Sequence, residues 1–186
     1  MDAKGSAVEI LPKFIMNTFG KDSFNRWLNS LPPKAKAEFS DGILSFRWYP
    51  LRSLLVLPTQ RFCELFYDGD LKGALEVGRF SADYALKGVY KLFVRVRSPE
   101  FLIKRAHKIL PTYYRPCAME LVEISSSRST LRITEFEEMD EVIELRMKGW
   151  MEKALEISGA TNVNISIPKS LTKNDPYTDF VGTYRS

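Results

Sequence analysis

The sequence predicts an α+β fold: N-terminal helices followed by a β-β-α-β-β half, whose strands form a four-stranded antiparallel sheet covered by helices. Three observations carry this. Apolar residues recur at helical spacing through most of the first 111 positions, the period drops to two after Ala118, and one amphipathic helix interrupts the alternating segments.

The helical elements can be taken in order. Ile10, Leu11, Phe14 and Ile15 fall on one face of a helix from Ala7 to Thr18, which Gly20 is placed to end. Asp22 or Ser23 can cap a second helix carrying Phe24, Trp27, Leu28 and Leu31, and Pro32-Pro33 stops it. A linker is expected through Asp41-Gly42 to Trp48-Tyr49-Pro50. Leu51 to Tyr67 is apolar, and Pro58 should start or kink its helix. After the Asp68-Gly69-Asp70 turn, Leu71 to Val94 forms the longest periodic stretch. Leu75, Gly78, Ala82, Leu86 and Phe93 lie on its stripe, and the small residues there let another helix come close. Pro99 opens a shorter helix that runs to Leu110.

The second half reads as strands. Ala118 to Ser125 is strand-like. Leu131 and Ile133 alternate with polar residues, as do Val163, Ile165 and Ile167, and Phe180 and Tyr184 mark a last strand. Between the second and third strands, Ile143, Met147, Trp150, Met151 and Ala154 share one face of a helix from Asp140 to Ser158. Asn174-Asp175-Pro176 supplies turn chemistry between the last two strands.

At 186 residues with 45% hydrophobic composition, the chain suits a single domain, residues 1–186, with a mainly helical half at 1–111 and the β-β-α-β-β half at 117–186. Its apolar runs fall far short of the ~20 residues of a membrane span. The amino terminus lacks the pattern of a secretory signal, and two cysteines give no disulfide framework. A cytoplasmic location is therefore expected.

The net charge of +4 is unevenly spread. From Lys87 to Arg115 eight basic residues face only Glu100. From Glu135 to Glu156 eight acids face three bases. Lys87, Lys91, Arg95, Lys104, Arg105 and Lys108 offer a surface for an anionic partner. Alternatively, both stretches are solvated helix faces, or they meet each other in the fold or across a dimer.

Specific residues carry a resemblance. The tail Gly149-Trp150, Gly159-Ala160-Thr161-Asn162-Val163 and Asn174-Asp175-Pro176-Tyr177-Thr178-Asp179-Phe180 resembles the C-terminal half of the 4-vinyl-reductase domain. Its superfamily includes haem nitric-oxide-binding domains and the TRAPP subunits of Golgi trafficking. Over nearly the full length the chain is similar to a myxobacterial-type family of unknown function within it, through the Gly5-Ser6 helix, Leu31-Pro32-Pro33, Trp48-Tyr49-Pro50, Asp68-Gly69-Asp70 and Arg97-Ser98-Pro99. The resemblance implies a ligand-binding or assembly module. Ser170 and Thr178 stand where the vinyl-reductase pattern has cysteines. Hydroxyls are poor ligands for soft metals, so a metal site does not carry over.

His107 is the only histidine. A helical histidine ligates iron in the haem-binding relatives, but their Tyr-x-Ser-x-Arg motif is absent here. A histidine in the last helical turn is also explained by the helix dipole. No cofactor, metal or catalytic residue is therefore expected, and no Walker, dinucleotide, His-Glu-x-x-His or EF-hand pattern occurs. Acid pairs such as Glu141 and Glu144 read as solvated carboxylates.

The expected function is a non-enzymatic ligand-binding or protein-interaction module, a bacterial signalling sensor with an apolar pocket or dimer interface. Leu75, Gly78, Ala82, Leu86, Phe62 and Trp150 are the candidate lining. A small apolar ligand, a protein partner and a homodimer are the expected partners, and nucleic acid is not. The alternatives are a vinyl-reductase-like enzyme acting on tetrapyrroles and a scaffold subunit acting through assembly alone.

Overall fold

The computed structural model describes residues 1–87 and 98–185. Its helices are α1 (Gly5–Val8), α2 (Ile10–Asn29), α3 (Pro33–Asp41), α4 (Leu57–Phe66), α5 (Lys72–Lys87), α6 (Pro99–Ile109) and α7 (Glu141–Ile157). Its strands are β1 (Asp2–Lys4), β2 (Trp48–Pro50), β3 (Tyr114–Arg115), β4 (Ala118–Ile124), β5 (Arg128–Glu135), β6 (Thr161–Lys169) and β7 (Thr178–Arg185). The fold is α+β, as the sequence predicts. The last four strands form one antiparallel sheet in the order β4-β5-β7-β6.

Gly20 breaks α2 with φ 83°, so the two expected helices meet end to end at a kink. Trp27 on the second arm is fully buried and donates its indole N–H to the Pro58 carbonyl at 3.0 Å. Pro58 starts α4 after a π-helical turn at Arg52–Val56. Rings from three helices then interlock: Phe14 and Phe19 of α2 meet Phe62 of α4, and Phe14 meets Phe80 of α5, with centroids 5.3–5.9 Å apart.

Two features depart from the sequence reading. Helix α3 fills the stretch between Pro32-Pro33 and the expected linker, for which the sequence indicated no element, because Pro33 is well placed at a first helical turn and Ala35 and Phe39 bury one face. A second, three-stranded sheet, β2-β1-β3, also forms. Its strands are two or three residues long, too short for alternation to register in sequence. Trp48-Tyr49-Pro50 is one of its two edge strands. Tyr49 is buried, while the Trp48 ring meets both the Lys4 and the Arg115 cations.

Helix α7 lies across α5 and against the sheet. A Cβ on Gly78 would fall 2.1 Å from the Arg146 carbonyl oxygen, and one on Gly149 would fall 2.1 Å from that of Leu75. The small-residue stripe of α5 is thus filled from within the chain, by the backbone of α7. Among the described residues no helix is long and apolar enough to cross a membrane.

Candidate ligand cavity

Where α5, α6 and α7 converge, they border a partly open cavity of about 70 Å³. Gly78 and Ser81 face it from α5, Ala106 and Ile109 from α6, and Met147, Trp150 and Met151 from α7. Tyr113, Tyr114 and Met119 close it on the β side, and Ala7 on the N-terminal side. The α6 wall is positioned by its start: Ser98 accepts the Phe101 N–H, and Pro99 presets the first turn. A neighbouring cavity of about 220 Å³ shares Ile109, Tyr113 and Trp150, and adds Leu86, Phe101, Leu102, Arg105 and Lys108 toward the surface.

One wall residue is charged. Arg146 is 4% exposed. Its guanidinium donates to Thr59 Oγ1 at 3.0 Å and to the Ala7 carbonyl at 2.8 Å. The Thr59 hydroxyl in turn donates a hydrogen bond to the Leu55 carbonyl at 2.6 Å. Both acceptors of Arg146 are neutral, and among the described residues no carboxylate comes within ion-pairing distance of it. Burial pulls the guanidinium below its ordinary pKa, and burial pushes Tyr114 beside it upward. An uncompensated buried ion costs on the order of several kcal/mol. Sequence reasoning counted Arg146 only as one base among acids. The available signal was its position three residues after Ile143 and four before Trp150, on the apolar stripe of α7.

A second buried charge sits two residues earlier. The expectation of a solvated Glu144 is wrong: it is 3% exposed. Ser170 Oγ donates to its carboxylate at 2.7 Å, Thr178 Oγ1 at 2.7 Å and Thr172 Oγ1 at 3.3 Å. Ser170 and Thr178, singled out as standing in cysteine positions, therefore converge on one carboxylate and tie α7 to the β6–β7 connection. Asp175 accepts the Ser170 N–H at 2.9 Å, which holds its carboxyl below the usual range. Residues two apart on a helix point roughly 200° apart. Glu144 and Arg146 thus face opposite sides of α7 and cannot neutralise each other.

The other candidates separate. Gly78 and Trp150 line the smaller cavity, and Leu86 and Trp150 the larger. Ala82 packs with Leu86 and Ala154, and Phe62 is fully buried in the aromatic cluster. Leu75 is half-buried, with its carbonyl against Gly149. Trp150 and Met151, which the sequence puts on the apolar face of this helix, are half-buried and wall the smaller cavity. His107 sits half-buried in the last turn of α6 and lines neither cavity. Of the basic stretch, Lys91 and Arg95 lie outside the described residues, as does the side chain of Lys87. Lys104 pairs with Glu100 at 2.6 Å, and Arg105 stacks 3.4 Å from the Phe101 ring centroid. Lys108 is exposed beside the larger cavity. Among the described residues no group of His, Cys, Asp and Glu is arranged to hold a metal ion.

No family model matches the sequence, and no curated protein matches it. Solved structures do match. An H-NOX protein from S. oneidensis in the Fe(II)NO ligation state superposes with TM-score 0.77 at 13% identity, covering 98% of this chain and 99% of that one. The Fe(II) unliganded H-NOX protein from K. algicida gives TM-score 0.73 at 13% identity, covering 98% and 97%. The residues here do not fit a haem in the described cavities. A ligand of that size needs on the order of 300–1,000 Å³, neither cavity reaches it, and His107 walls neither. What the likeness carries across is architecture: this chain has the fold of the H-NOX, or haem nitric-oxide-binding, proteins.

Proposed function

We propose that this chain is a non-enzymatic sensor module of bacterial signalling, which binds a small molecule in the cavity between α5, α6 and α7 and passes its occupancy to a protein partner. The observation that carries this reading is the cavity itself. It lies where the helical half meets β3 and β4, it is walled mainly by apolar side chains, and a charged group is held in its wall. The likeness to H-NOX proteins, among them one solved with Fe(II)NO, supports a gas- or small-molecule-sensing role over catalysis. The ligand is smaller than haem.

Xenon tests the cavity without presuming the ligand's chemistry. Proton–nitrogen correlation spectra of the full chain under xenon pressure are expected to shift the amides of Gly78, Ala106 and Met147. Spectra that do not change would remove the cavity as a binding site. Native mass spectrometry of the purified protein then identifies any retained molecule.

A further inference from the structure

We infer that the cavity walled by Arg146 takes a small monocarboxylate, with the carboxylate on the guanidinium and the alkyl end against Met119, Met147 and Trp150. This deepens the proposed function and rests on the cavity being a ligand site.

The argument starts from an unbalanced charge. Arg146 is 4% exposed and forms part of the cavity wall. Its two hydrogen bonds go to a hydroxyl and a backbone carbonyl, neither of which neutralises it. Ala7, which provides that carbonyl, and Tyr114 border the same space. A buried cation facing a cavity favours an occupant of opposite sign. The planar fork of a guanidinium matches the two oxygens of a carboxylate. The remaining walls are largely apolar, which suits an alkyl group better than a strongly hydrated inorganic anion.

Size narrows the class. One water-sized group needs roughly 10–15 Å³ of such space, so a cavity of about 70 Å³ holds about five to seven non-hydrogen atoms. Acetate and propionate meet that limit, whereas octanoate exceeds it.

The test titrates the full chain with sodium acetate, propionate and octanoate. Acetamide and propionamide serve as uncharged matches, and sodium chloride holds ionic strength constant. Acetate and propionate are expected to shift the amides of Gly78, Ala106 and Met147 saturably and to raise the unfolding temperature, while the amides and chloride do neither. Arg146→Met, similar in length and uncharged, is expected to weaken propionate binding by about tenfold or more, and Arg146→Lys by less. Should Arg146→Met fail to fold, the comparison of propionate with propionamide on the unaltered chain decides alone. Equal effects of acid and amide, unchanged affinity in Arg146→Met, or tighter binding of octanoate than of propionate would each overturn the inference. Entry of xenon without any response to carboxylates overturns this inference and leaves the proposed function standing. If neither enters, both fall.

Discussion

Gly78 and Gly149 lock α5 to α7 reciprocally, each glycine lying against a backbone carbonyl of the other helix. The contact admits no Cβ: either alanine would place one 2.1 Å from an oxygen that cannot rotate away. Alanine in a helix otherwise gains about 1 kcal/mol over glycine. Overpacking against backbone costs about 1–3 kcal/mol or more, and here it opens the whole seam. Gly78→Ala and Gly149→Ala are each expected to destabilise the chain by about 2 kcal/mol, read as a lower urea midpoint. A gain in stability would show that the helices part freely.

The hydroxyl cage around Glu144 makes a prediction about coupling. Hydrogen bonds to a buried charge contribute about 1.5–3 kcal/mol each. Ser170→Ala and Thr178→Val should each lose stability in that range, and Glu144→Ala should lose more, because it strands several donors. The double variant Glu144→Ala/Ser170→Ala should lose clearly less than the sum of the single losses. Additive losses in a denaturation cycle would mean that the cage is not a unit.

Both thiols are expected to resist alkylation in the folded protein. Burial pushes Cys63 up to about 11 and Cys117 up to about 12, so neither forms appreciable thiolate near neutrality. Iodoacetamide at pH 8 should label them only after unfolding. The sign of the linkage follows. Their folded-state values lie above the ordinary value of 9.0, so the folded form holds its protons longer. Their contribution to stability is intact below pH 9.0 and declines as pH rises toward 11 and 12. Rapid labelling of native protein at pH 8 would contradict this.

Haemin is expected to produce no Soret band that depends on His107. The side chain lies in the last turn of α6 and faces neither cavity. The absorption spectra of the unaltered chain and of His107→Ala, each mixed with haemin, should coincide. A band lost with the histidine would require a larger interior than the one described.

Much of the fold was legible because its elements are long enough to carry a period. The α7 helix, predicted at Asp140 to Ser158, spans Glu141–Ile157, and Pro99 and Gly20 mark helix boundaries as their backbone chemistry demands. The β1–β3 sheet was illegible, since two or three residues hold no pattern. The site was harder. Gly78 and Trp150 were named from the apolar stripe and do line the cavity. Arg146 and Glu144 were hidden by the opposite rule, that charges in a charged stretch face water. Each departs from it through partners distant in sequence: Thr59 and Ala7 for Arg146, Ser170 and Thr178 for Glu144.

The backbone contact between α5 and α7 also has a mechanical side. Two of the three helical walls are packed backbone against backbone, so they have no room to move closer together. The third helical wall, α6, rests mainly on β4 instead. That helix runs through the Leu110–Thr112 turn into β3, where Tyr114 and Arg115 pair with Ala3 and Asp2. The chain thus runs without a break from the α6 wall of the cavity into the small N-terminal sheet, so wall and sheet share one stretch of backbone.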